Sequence, residues 1–347
     1  MSTVAIPAVP QASSARQTHW IISAREDMRW FIGSAAISYV ALALLAAGFP
    51  PEPLVLFWLV GVDGPHIAAT VTRTYFDQRE RTRLGRWLWI PLPMLFIGPL
   101  AVAAGLASWF FLFAVSWQHF HIVKQHFGFV MLYKAKNGER DRTDFLLDKW
   151  LLLASLIVPM SIFILRTRPA IAQFLPQLWW LVYAGVAGCA ALGAAWLARQ
   201  WGKWRSGAGL TWPKVALIAV VVPLQWLALL HASTQGPNGI LRAGVALGLF
   251  HSFQYHRLLW FHNRNRYQRA GAAQRHGVAA TAASHVALYF GTALLLHQVL
   301  MFWPPVFFPS EAVVASVWGF SFAHYVLDAK IWHVRSDREL AAALNMT

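Results

Sequence analysis

Apolar runs of membrane length alternate with short polar breaks along almost the whole chain. Ten runs stand out, near 30–49, 54–72, 87–105, 107–133, 148–166, 178–198, 213–232, 239–261, 281–301 and 311–333. A helix needs roughly 20 such residues to cross a hydrocarbon core. The pattern predicts an all-α fold: a polytopic integral membrane helical bundle of about ten transmembrane helices, one domain over 26–338. Residues 1–25 read as a disordered tail, and 339–347 as a C-terminal tail. Pro50, Pro51 and Pro53 separate the first two runs, and Pro304 and Pro305 precede the last. Pro91 and Pro93 fall inside the third run and predict a kink in its first turns.

At 57% hydrophobic and 12% charged residues, the composition is too apolar for a soluble globule. The net charge of +15 suggests a nucleic-acid partner until its distribution is followed. Basic residues fill every second break: Arg73 to Arg86, Lys134 to Lys149, Arg199 to Lys214 and Arg264 to Arg275. Only Arg166, Arg168 and Arg242 fall on the other side. This positive-inside asymmetry predicts cytoplasmic termini, reads as a bacterial inner (plasma) membrane protein, and leaves no basic patch for nucleic acid. Tryptophans near the run ends suit an interfacial belt. The single cysteine, Cys189, excludes an internal disulfide.

Histidines then change the picture. His66, His119, His251 and His324 each lie about a dozen residues into a run, and all four runs cross in the same direction. Four imidazoles would meet at one depth, where isolated polar side chains are costly and mark function. A second tier, about one to two turns further in, holds His121, Gln125, His126, Gln254, His256 and Asp328. Asp63 precedes His66 by three residues and Asp328 follows His324 by four, so each shares a face with its histidine.

Imidazoles with nearby carboxylates point to a transition metal, and second ring nitrogens normally donate to an oxygen. The metal candidates are His66, His119, His126, His251, His256 and His324, with Asp63 and Asp328 as supporting or direct carboxylates. On the fourth run the ligand is His119 or His126, with His121 behind them. Tyr255 and Tyr325 are the candidate proton-transfer residues, and they join Phe120, Phe127 and Phe253 as candidate pocket lining. His262, His276 and His333 fall near the basic face and read as solvated.

Short strings carry a resemblance: Gly64-Pro65-His66, Gln125-His126-Phe127-Gly128, Phe250-His251-Ser252 and His324-Tyr325-Val326-Leu327-Asp328. Together they resemble the bacterial bacteriorhodopsin-related membrane β-carotene dioxygenases. The resemblance implies one non-haem iron held by histidines, with His66, His126 and His251 in ligand positions. The expected function is therefore an integral-membrane non-haem iron oxygenase. It takes O2, an apolar or amphiphilic substrate from the lipid bilayer, and an electron donor if its reaction requires one. Two alternatives are a membrane haem protein with bis-histidine ligation, and a metal-ion or proton transporter.

Overall fold

The computed structural model describes residues 18–236, 238–268 and 271–346, and the first 17 residues of the expected tail lie outside them. The described residues contain helices and no strand. Among the described residues, eight helices are long and apolar enough to cross a membrane. They are α1 (Ala24–Ala46), α2 (Pro51–Thr74), α3 (Gln78–Ala103), α5 (Arg142–Thr167), α6 (Leu178–Arg205), α7 (Trp212–Leu230), α9 (Val286–Phe307) and α10 (Glu311–Ile331). Between them run two more polar long helices, α4 (Ala107–Lys136) and α8 (Gly239–Tyr267). A short helix, α11 (Arg338–Ala343), closes the described chain.

Proline sets several starts. Pro51 and Pro91 occupy first-turn positions, where the missing N–H costs nothing. The kink expected from Pro91 is a restart: a tight 3-10 turn over Gly85–Trp89 leads into the helix from Pro91. Pro304 and Pro305 begin a short helical turn, Trp303–Phe307, that extends α9. In α2 a wide π-type stretch, Phe57–Asp63, ends where Gly64-Pro65 begins. Pro65 has no N–H for the regular ladder, and such widened turns recur at functional sites.

Two of the expected tails are packed where they are described. Ile21 is buried, and its N–H and that of Ile22 donate to the Asp27 carboxylate at 2.7 and 3.0 Å. Leu340 and Leu344 are fully buried as well. Each short segment carries enough apolar surface to seal the core cluster around Phe31, Phe129, Tyr133 and Leu217.

Helix α8 runs through the middle of the bundle and touches α1, α2, α4 and α7. Helix α10 lies along α3, and α9 along α2. Small residues permit the closest approach, as membrane helices require. A side chain at Gly98 would strike the Ala315 carbonyl, and one at Gly319 the Met94 carbonyl. Toward the arginine-rich end, several buried charges are paired. Lys214 meets Glu139 and Asp148 at 2.8 and 3.0 Å, and Lys134 meets the same two carboxylates. Burial opposes the charge on Glu139, but Lys214 and Lys134 outweigh it and hold the carboxyl at about 2.

A candidate metal centre

Four histidine rings from four helices meet inside the bundle: His66 from α2, His121 from α4, His251 from α8 and His324 from α10. Ring centroids are 4.6 Å apart for His66 and His324, 4.7 Å for His66 and His251, 4.8 Å for His121 and His324, and 5.1 Å for His121 and His251. His66, His121, His324 and Asp328 can each offer a ligand atom lying within 4.8 Å of the others.

Hydroxyl groups aim the two central rings. Ser252 Oγ donates to Asp63 Oδ1 at 2.7 Å and lies 3.3 Å from His66 Nδ1. Its one hydrogen is spent on Asp63, so it accepts from His66 Nδ1–H. Thr70 Oγ1 lies 2.6 Å from His324 Nδ1, 3.2 Å from Tyr255 OH and 3.5 Å from Asp328 Oδ1. The tautomer assigned to His66 carries its hydrogen on Nδ1; placing it on Nδ1 of His324 as well, with Thr70 accepting, leaves both Nε2 lone pairs bare. Those Nε2 atoms face each other at 2.9 Å. Tyr255 stacks on His66 with centroids 4.1 Å apart and donates to Asp328 Oδ1 at 3.1 Å. Tyr325 stacks on His121 at 4.4 Å. Both tyrosines proposed from the sequence therefore touch the cluster.

The donor set fits a metal ion. His121 Nε2 and His251 Nδ1 are buried with no protein partner, an expensive state for a ring nitrogen without a ligand. Two nitrogens bound at right angles to one ion, with bonds of about 2.1 Å, sit about 3 Å apart, which matches the His66–His324 pair.

Three sequence candidates are turned elsewhere. His119 Nε2 donates to the Leu156 carbonyl at 2.8 Å, across to α5. His126 lies against Phe250, with ring centroids 5.2 Å apart, rather than in the cluster. His256 spends both nitrogens, accepting from Tyr289 OH at 2.8 Å and donating to the Val62 carbonyl at 3.0 Å. On α4, His121 takes the place expected for His119 or His126. It lies about 160° around the helix from His119, a difference the count of residues from the membrane surface ignores. One signal was legible: Trp117, His121 and Gln125 recur at helical spacing, and this stripe faces α8 and α10. Trp117 stacks on Phe322, and Gln125 Nε2 donates to the His251 carbonyl at 2.8 Å. Asp63 acts through Ser252 rather than on the ring itself. Thr70 and Ser252 were missed because single hydroxyls are ordinary in membrane helices.

An apolar cavity of about 360 Å³ adjoins the cluster, with His324 and Thr70 as its polar wall. Ile67, Val71, Leu327 and Leu300 line its depth, and Leu92 and Trp89 are exposed at its mouth. Phe120, Phe127 and Phe253, expected as lining, take no part in it. Phe120 is exposed, and Phe127 and Phe253 pack in apolar clusters. The expectation of solvated His262 and His276 is also corrected, since both are buried. Outside the helical spans, Asp77 shows why: His276 Nδ1 lies 3.1 Å from its carboxylate. Burial opposes the charge on Asp77, but the His276 hydrogen bond and Arg266 hold its carboxyl below the usual range.

Comparison with protein-family models, with curated proteins and with solved structures finds no match for this chain.

Proposed function

We propose that the chain is an integral-membrane metalloenzyme, a non-haem iron oxygenase that takes its substrate from the lipid. The observation carrying this reading is the junction at His324: one face belongs to a buried histidine–carboxylate donor set, the other to an apolar cavity. His66, His121, His324 and Asp328 hold the ion, with His251 beside them. A bound ferrous ion would supply the binding and activation of O2. The residues around it do the rest. Ser252 and Thr70 keep both Nε2 lone pairs pointed inward, and Tyr255 and Tyr325 wall the cluster and exclude bulk water. The apolar cavity selects a hydrocarbon-like group and holds it against His324.

The 2.9 Å spacing of the His66 and His324 Nε2 atoms favours a bare ion over haem, because a porphyrin iron between two axial ligands holds them further apart. The apolar cavity favours an enzyme over a carrier, since it offers nothing to a hydrated cation. We read α4 and α8 as crossings too, which makes ten, and the basic loops support cytoplasmic termini, as in a protein of a bacterial inner membrane.

Elemental analysis and a pyridine haemochrome spectrum on detergent-purified protein test the reading together. One iron per chain without a haemochrome signal is expected, and His66→Ala, His121→Ala and His324→Ala should bind it too weakly to keep it through purification. A haem spectrum, or iron retained in all three variants, contradicts it.

A further inference from the structure

Between the histidine cluster and the arginine-rich end, three layers of polar side chains follow one another at helical spacing. The first holds Thr70, Tyr255 and Asp328. One turn on from Thr70 comes Arg73, one turn on from Asp328 comes Trp332, and two turns on from Tyr255 comes His262. The third layer is Tyr267, Asp77 and His276, where Tyr267 OH donates to Asp77 Oδ2 at 2.8 Å. Beyond it opens a surface cavity of about 170 Å³ lined by His276, Arg266, Arg275 and Arg79.

The middle layer is the unusual one. Arg73 is 2% exposed, donates through Nη2 to the Ile331 carbonyl at 2.6 Å and stacks 3.9 Å above the Trp332 ring. The other buried cations, Lys134, Lys214 and Arg266, all meet carboxylates, whereas Arg73 makes no ion pair among the described residues. Arg73 Nε and Nη1, Trp332 Nε1 and His262 Nε2 are all buried and lack a protein partner. His262 and Trp332 are in contact, with ring centroids 5.9 Å apart, so these four orphaned atoms belong to one neighbourhood. Buried polar groups in folded proteins are almost always hydrogen-bonded, and a site with three or four polar partners is what an internal water needs. The same layer is hostile to cations, because the Arg73 charge stands in the way.

We propose that Arg73, His262 and Trp332 hold a string of bound water linking the cluster to the arginine-rich face. Water reaches the centre by this string, while the apolar cavity admits substrate from the lipid. The role at its inner end rests on the metal reading above, but the string itself does not. Two separate access routes let an enzyme keep an apolar substrate and its aqueous co-reactants apart until they meet.

Histidine C2–H exchange in D2O, read residue by residue by mass spectrometry on the full chain in nanodiscs, tests this with or without iron. His256 is the internal control, because it is buried and both its nitrogens are held by protein. His262 is expected to exchange at least tenfold faster than His256 despite being the more buried of the two. Trp332→Phe, which removes the indole N–H donor and keeps an aromatic ring, and Arg73→Leu should slow it, and Arg73→Lys should preserve it. Should Arg73→Leu fail to fold, Trp332→Phe keeps the comparison. His262 exchanging as slowly as His256 in the wild-type chain overturns the water string. Iron content is measured on the same sample. Fast His262 exchange without iron keeps the string and sinks the metal reading, and slow exchange with a full equivalent of iron does the reverse.

Discussion

His66 and His324, 258 residues apart in the chain, face each other through bare Nε2 atoms at 2.9 Å while Ser252 and Thr70 hold their other nitrogens. Two lone pairs at that distance repel in a medium of low dielectric. A metal ion between them removes that repulsion, and so does a hydrogen carried on one Nε2, with His324 Nδ1 then accepting from Thr70 Oγ1. His121, His251 and Asp328 crowd the same point, and a single proton would leave most of these donors without a partner.

Ser252 is the link through which Asp63 acts on His66. Ser252→Ala removes that link without adding bulk. Iron affinity is expected to fall about 10–100-fold, as when other supporting hydrogen bonds to metal-bound histidines are removed. An iron titration of the variant against wild type checks this, and an unchanged affinity would remove Asp63 and Ser252 from the site.

Gly64 leaves room for a ring. Any side chain there would overlap His297 of α9. Gly64→Ala should cost about 1–3 kcal/mol of stability through overpacking. The Gly64→Ala/His297→Ala pair should recover part of it, because the two sites are in contact and couple. Thermal unfolding of the two single variants and the double variant in one detergent reads the coupling directly, and strict additivity would refute the contact.

Filling the apolar cavity should separate substrate binding from metal binding. Ala68 is buried in the cavity wall, two residues before Thr70 on α2. Ala68→Phe is expected to leave iron at one equivalent and to cut photolabelling of Leu92 and Leu327 by a long-chain alkyl diazirine at least tenfold. Equal labelling would show that hydrocarbon does not enter there.

Much of this was legible in the residues. Run length and composition predict the membrane helices, and counting inward predicts that His66, His251 and His324 meet, because depth depends on rise per residue alone. Azimuth is another matter. Helix α4 is buried on several sides, so His119, His121 and His126 all satisfy an apolar-environment argument, and only the packing of α8 and α10 singles out His121. The same limit applies to His256, whose ring lies 6.2 Å from that of His66 but whose nitrogens are both taken by Tyr289 and Val62. Burial of His262 and His276 was hidden because charged loop residues can fold back on one another, as Arg266, Asp77 and Glu80 do.

The ionic knot at the arginine-rich end carries a pH signature. Glu139 has its carboxyl lowered from an ordinary value of 4.5 to about 2. A lowered carboxyl contributes stability that is present above its unfolded value and is lost as pH falls toward the folded one. Unfolding temperature should therefore drop as pH falls from about 4.5 toward 2. Glu139→Gln should flatten part of that slope and cost about 3–5 kcal/mol near neutral pH, because Lys134 and Lys214 would then share Asp148 alone. Calorimetry across this range checks both, and an unchanged slope would place Glu139 outside the knot.

Iron K-edge X-ray absorption on anaerobically loaded protein, comparing wild type with His121→Ala and His126→Gln, probes the centre itself. One iron per chain is expected, with imidazole nitrogens at about 2.1 Å. One imidazole should be lost in His121→Ala, and the spectrum should be unaltered in His126→Gln. An ion whose imidazole count is indifferent to His121, or a chain that binds no iron, would contradict the convergence of His66, His121 and His324 on a shared metal.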